Sequence, residues 1–343
     1  MESVSKTVNN ITVTVDYRTE LLGILMYISG YDEFCPIQYD KGYPNDEYID
    51  NIRKKFSKYK DEDVVRKFIS LCKKHGFSYD APICMFLQLD DNFKCDCLDD
   101  YIFKERLHSD DTVYDLIKGL NEFASKINFN NYYDSNKKQY SEYIDKVAKC
   151  FNELDINKYL SDYYGYDENK KFFVNLLPFA TIGGYNATLS DSIYSNITVD
   201  DKEEMFKVRF PPGLITLTVH EMSHGYVNPI TDRLNLVDEK DDLFADIKDV
   251  MANMAYTSNK DIINEHIIRA IEIRTIKNVF QNDSWYERRL EHEKNNGFIY
   301  IDVVEKSLED YELNRDRYHK FDDFYPIIIE NIKTSKKQSL KRM

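Results

Sequence analysis

Glycine, proline and cysteine are scarce in this chain: 11, 8 and 6 among 343 residues. So little glycine and proline excludes a collagen-like or linker-dominated chain. Six cysteines over such a length do not build a disulfide scaffold. They stand at positions 35, 72, 84, 95, 97 and 150, and reduced thiols are expected. The one close pair, Cys95 and Cys97, lacks the usual spacing of a zinc knuckle. No apolar run approaches the length of a membrane span. Positive charge is also short: 46 Lys and Arg face 60 Asp and Glu, a net charge of −14. Such a chain repels phosphate backbones and anionic bilayers, so neither nucleic acid nor a membrane is an expected partner. The opening MESVSKTVNN has one lysine and no apolar block after it, unlike a signal peptide. The expected location is the cytoplasm, or outside the cell if a leader has been trimmed.

There is ample material for a core, with 42% hydrophobic and 14% aromatic residues, and the mean hydropathy of −0.58 fits a soluble chain. No period of 20–50 residues recurs, which excludes a solenoid. ITVTV (11–15) alternates like a strand, and YRTELLGILMYISG (17–30) has helical spacing. Helices are expected at 46–59, 61–75, 112–127 and 137–160, with an acidic loop at 90–100 and a polar joint at 128–138. The texture then turns to strands at 172–182, 185–189, 192–199 and 205–210. Beyond Pro211, Pro212 and Gly213 it is helical again, at 213–227, 240–256, 261–281, 284–295, 302–314 and 322–334. The basic tail, 333–343, is expected to be frayed. The fold class is therefore α+β and mostly helical, with a small mixed β-sheet ahead of one long helix. Residues 1–165 form a mainly helical region. Residues 166–343 hold the sheet (172–210), the helix 213–227 and the helix 261–281.

Residues 220–224 read HEMSH, an H-E-x-x-H motif. Positions i and i+4 of a helix lie one turn apart on one face. His220 and His224 can therefore offer two imidazoles to one Zn²⁺, and Glu221, beside the first, can take a proton from a zinc-bound water. With seven histidines and all 60 acids counted as Glu, the motif arises by chance about 0.02 times in such a chain. The continuation HExxHxxGxxH needs glycine and histidine where Val227 and Ile230 stand, which excludes the metzincin class. The helix is expected to end near Gly225 and Asn228–Pro229.

A catalytic zinc needs a third protein ligand, with water in the fourth place. On a wheel of 261–281, Glu265 shares one apolar face with Arg269, Glu272, Ile262, Ile268, Ile276, Val279 and Phe280. Charges on such a face need a partner or a metal. Glu265 leads as the ligand; Glu272, Asp246 and Asp249 are the alternatives. His266 points elsewhere on the wheel. Arg269 is a candidate oxyanion stabiliser, as are Tyr185, Tyr194, Tyr226 and Tyr256. Asp246 or Asp249 could hold the imidazole N–H groups. Gly183 and Gly184 break the strand run, where an edge could pair with an extended peptide.

VHEMSHGYVNP, followed some forty residues later by NEHIIRAIEIR, resembles the gluzincin-type zinc metallopeptidases. More narrowly it resembles a bacterial family of uncharacterised proteins described only as a domain of unknown function, with a V-H-E-x-S-H-x-x-V-N-P helix and a later E-x-x-x-R-A helix. The resemblance implies zinc ligands His220, His224 and Glu265, and Glu221 as general base. It departs from thermolysin-like enzymes, which carry N-E-x-x-S-D on the ligand helix. The expected activity is zinc-dependent hydrolysis of peptide or protein substrates. The rival expectations are a non-catalytic peptide-binding module on the same scaffold, and a metal hydrolase of non-peptide amides or esters.

Overall fold

The computed structural model describes residues 2–31, 46–78, 80–99, 101–152, 154–166, 170–180, 183–199 and 212–340. The architecture is α+β and mostly helical, with a five-stranded mixed sheet and a helical C-terminal part. No helix among the described residues is long and apolar enough to cross a membrane. The chain separates into two compact units, one of residues 1–155 with 170–210, the other of 156–169 with 211–343. This grouping differs from the division at 165 and 166 drawn from texture, because the later strands join a sheet begun near residue 4.

In the first unit the strands are β1 (Val4–Val8), β2 (Ile11–Val15), β3 (Lys171–Leu177), β4 (Gly184–Thr188) and β5 (Ser192–Thr198). Their spatial order is β1-β2-β3-β5-β4. β2, β3 and β5 run parallel, and the two edges pair antiparallel. The central strand β3, KFFVNLL, reads as near-continuous apolar text, and the central strands are buried along nearly their whole length because both their faces are covered. Asn175 is the buried polar residue of β3. It accepts from the Asp16 N–H at 3.0 Å and donates to Asn196 Oδ1 at 2.9 Å, so its buried amide is satisfied. The strand expected at 205–210 lies outside the described residues, and so does Cys35.

Helix α1 (Tyr17–Ser29) starts at the Asp16 cap and stops at Gly30, whose φ of 70° suits glycine. It is followed by α2 (Asp46–Phe56), α3 (Asp63–His75), α4 (Asp80–Leu87), α5 (Thr112–Lys126) and α6 (Phe129–Ala148). The polar joint expected at 128–138 is instead the first half of α6. Phe129, Tyr132, Tyr133, Tyr140 and Tyr143 recur at helical spacing and are buried, and that burial outweighs the poor helix propensity of the intervening asparagines.

In the second unit, α7 (Ile156–Tyr164) and α8 (Pro212–Leu234) are joined by α9 (Lys248–Ala252), α10 (Asn259–Phe280), α11 (Asp283–Asn295), α12 (Ile301–Leu313) and α13 (Phe321–Leu340). α8 does not end at Gly225 or Asn228–Pro229; it runs on to Leu234 with Pro229 inside it. A proline ring collides with the carbonyl four residues earlier. That carbonyl belongs to Gly225, and the helix bears the cost because of what it buries beyond the proline. Ile230 and Thr231 beyond the proline are buried, and the Thr231 hydroxyl reaches Asn264 Oδ1 at 2.5 Å and Tyr325 Oη at 2.8 Å. Those contacts hold the last turns.

The expected helix over 240–256 is only a turn at Ala245–Ile247 and the short α9. Conversely, the basic tail is helical as far as Leu340. Its Lys336 is 8% exposed and pairs with Asp246 at 2.5 Å, a contact a frayed terminus would not keep. α10 packs between α8 and α12. It begins with a capping box formed by Ser258 and Asp261 and is buried on nearly every face from Ile262 to Ile276. A helix surrounded in this way has no polar stripe to reveal it, so its charged residues need partners.

Candidate metal centre

α8 presents His220 and His224 one turn apart, with ring centroids 5.3 Å from each other and planes at 72°. α10 presents Glu265 to both. Glu265 Oε1 lies 3.4 Å from His224 Nε2, and Oε2 lies 3.8 Å from His220 Nε2. The three donor atoms all fall within 4.8 Å of one another. A tetrahedral ion with bonds of about 2.1 Å holds its donors about 3.4 Å apart. The donor set thus has the identity and the spacing of a two-histidine, one-carboxylate metal site.

The other face of each ring agrees. His220 Nδ1 is 3.4 Å from Glu272 Oε2, and His224 Nδ1 is 3.3 Å from Asn228 Oδ1. An acceptor at Nδ1 keeps the proton there and leaves the Nε2 lone pair for a cation, the usual outer support of a metal-bound histidine. Asn228 is itself four residues from His224, so the i, i+4 rule that finds the ligands would also have found it. Glu272 shared the wheel face with Glu265; its place is behind His220. Asp246 and Asp249 are both exposed, and Asp246 is engaged by Lys336.

Arg269 donates through Nε to Glu265 Oε2 at 3.0 Å, through Nη1 to Glu293 Oε2 at 3.0 Å and through Nη2 to Tyr256 Oη at 3.1 Å. Its guanidinium carbon also lies 4.5 Å from the centroid of the Phe298 ring. The guanidinium is committed to orienting the Glu265 carboxylate. Tyr256 is partly exposed beside it. Burial and the charge of Glu265 raise the Tyr256 pKa, so the phenol keeps a proton to donate. Tyr226 is buried and stacked on Tyr164 at 4.3 Å. Tyr185 and Tyr194 belong to strands of the first unit.

Behind the ligands, Arg289 reaches Glu272 Oε2 at 3.1 Å and Glu293 Oε1 at 3.0 Å. Glu221, Glu265, Glu272 and Glu293 are all buried, and among the described residues the permanent cations paired with this cluster are Arg269 and Arg289. Four acids against two permanent cations leave two negative charges to be met by a protonated imidazole such as that of His224, or by a divalent ion that displaces its proton. Burial raises the Glu221 pKa. Burial would lower that of His224, but its contact with Glu265 outweighs this and pushes it up to about 9. Burial opposes ionisation of Glu272 too, yet Arg289 and His220 hold it down to about 2.

His266 is not part of the cluster, as the wheel indicated. Its Nδ1 donates to the Ile262 carbonyl at 2.7 Å, and its ring sits among Phe244, Phe298 and Tyr300. Burial lowers its pKa to about 4. A buried neutral histidine contributes stability that is complete above the unfolded value of about 6.5 and fades as pH falls toward 4, by roughly 3 kcal/mol in all. Urea titrations of wild type and His266→Phe across pH 4–7 should therefore show a flatter acid limb in the variant; parallel limbs would refute the assignment.

The chain belongs to the family described as a domain of unknown function (DUF4932), which it matches over residues 11–331. No curated protein and no solved structure matches it.

Proposed function

We propose that this protein is a zinc-dependent hydrolase of peptide bonds. The observation that carries the reading is the convergence of two Nε2 atoms and one carboxylate, with both Nδ1 atoms held from behind. His220, His224 and Glu265 would hold the ion, leaving the fourth position to water. When bound, zinc supplies Lewis acidity to a carbonyl and to that water.

The chain's own residues supply the rest. Glu221, adjacent to His220 and 6% exposed, takes the proton that water loses on attacking the carbonyl carbon. It then delivers that proton to the amine nitrogen as the C–N bond breaks. A base with a raised pKa is suited to both transfers. Tyr256, partly exposed beside Glu265 and Arg269, would donate its phenolic proton toward the oxygen that gains charge. Arg269, Glu272 and Asn228 orient the ligands and stay out of proton transfer. A structural metal site would need no Glu221, which separates this reading from that of a binding module.

Elemental analysis of purified wild type, followed by digestion of a peptide library, tests the proposal. One zinc per chain and new peptide termini are expected. Zinc with cleavage only of ester or non-peptide amide probes would change the substrate class. No zinc after reconstitution would overturn the reading.

A further inference from the structure

The charged side chains around the candidate metal centre close into a ring. From His220 Nδ1 the path runs to Glu272 (3.4 Å), Arg289 (3.1 Å), Glu293 (3.0 Å), Arg269 (3.0 Å) and Glu265 (3.0 Å). Glu265 faces both histidines across the donor cluster. Glu293 stands opposite the ligands. It comes from α11, touches no proposed ligand, and is 0% exposed. One of its oxygens accepts a hydrogen bond from Arg269, which orients the third ligand; the other lies 3.0 Å from Arg289 Nη2, an ion pair without hydrogen-bond geometry, and Arg289 in turn holds the support of the first.

We infer that Glu293 is a positioning residue for the metal centre, acting on both sides of it at once through Arg269 and Arg289. The inference rests on the zinc reading above. Its physical basis is that a fully buried carboxylate is costly unless both oxygens have charged partners. Here those partners are two arginines, each of which also carries one arm of the site. Arg269 holds Glu265 and Glu293 through separate nitrogens of one rigid fork, and Arg289 Nη2 stands between Glu272 and Glu293, so orientation can pass from α11 to α10 and α8 without backbone movement. Glu291, two residues earlier on α11, serves as a control. Its side chain is 64% exposed and pairs only loosely with Lys294, at 3.6 Å.

The experiment uses the full chain. Zinc affinity is measured by competition with a chromophoric chelator, and the cobalt-substituted protein gives a visible spectrum that reports ligand geometry. Glu293→Gln should weaken zinc binding about tenfold or more, the scale on which outer supports act, and should alter the cobalt bands. Glu291→Gln, with the same charge change, should do neither. Because Glu272 lies on the same ring, Glu272→Gln and Glu293→Gln together should cost less than the product of the single losses. Fully multiplicative losses would overturn the closed ring. So would a weakened affinity with an unchanged cobalt spectrum, which is a pure charge effect. Should Glu293→Gln not fold, Arg289→Met decides, since it removes the cation that stands between Glu272 and Glu293. An altered cobalt spectrum there supports the ring, and an unchanged one overturns it. A wild type that binds neither zinc nor cobalt would defeat the zinc reading itself, whereas a metal-loaded Glu293→Gln indistinguishable from wild type defeats only this inference.

Discussion

Glu221→Gln should keep one zinc per chain and lose at least about a hundredfold in kcat on the best peptide found by digestion, the usual contribution of a general base. The amide preserves the size of a side chain that is 6% exposed beside His220, so the helix and its two imidazoles stay in place. What disappears is the acceptor for the water's proton. Removing one of four buried acids also leaves a smaller negative surplus, so zinc affinity should fall modestly while stoichiometry holds. A variant with zinc and near-wild-type turnover would contradict the role given to Glu221.

His224→Ala should abolish stoichiometric zinc, taking hydrolysis with it. Two donors remain, and the Glu265 carboxylate loses the imidazole 3.4 Å away. The pH dependence follows from the same pair. Contact with Glu265 pushes the metal-free His224 up to about 9, above the ordinary value near 6.5. A raised folded value contributes stability that is complete below the unfolded pKa and fades as pH rises through about 9. Coordination needs the neutral ring, so zinc must displace that proton. Apparent zinc affinity should therefore climb about tenfold per pH unit from 6.5 toward 9 and then level off. Chelator competition across that range, with proton release followed in weak buffer, measures both effects. A flat profile would mean that His224 carries no proton to displace.

The part of the site that was legible in the sequence is the part set by helical periodicity. HEMSH fixes two imidazoles by i, i+4 spacing alone, and the wheel of 261–281 brought Glu265, Arg269 and Glu272 to one face before any packing was known. Their division of labour was not legible. Whether Glu265 or Glu272 faces the imidazoles depends on where α10 crosses α8, and Arg289 and Glu293 enter only because α11 folds back on α10. Elsewhere, local signals were overruled by burial. Pro229 reads as a stop, yet α8 passes through it because Ile230 and Thr231 are buried beyond. The asparagines of 128–138 read as a joint, yet the aromatic stripe starting at Phe129 makes a helix of them. The basic tail looked frayed, but Lys336 finds Asp246 ninety residues earlier. The sheet's partition was hidden for the same reason, since β2 and β3 pair across more than a hundred and fifty residues.

The burial of α10 on nearly all sides also bears on time rather than energy. From Ile262 to Ile276 every residue but Arg269 is buried, so local fraying gives these amides little chance to open. Their hydrogen exchange should proceed through global unfolding and rank among the slowest in the second unit. Glu265 rides on that segment, while Tyr256 lies just ahead of the Ser258 cap, where exchange should be fast. The side chain that would grip the ion thus keeps the slow clock of the whole unit, and the one that would meet the substrate keeps a fast one.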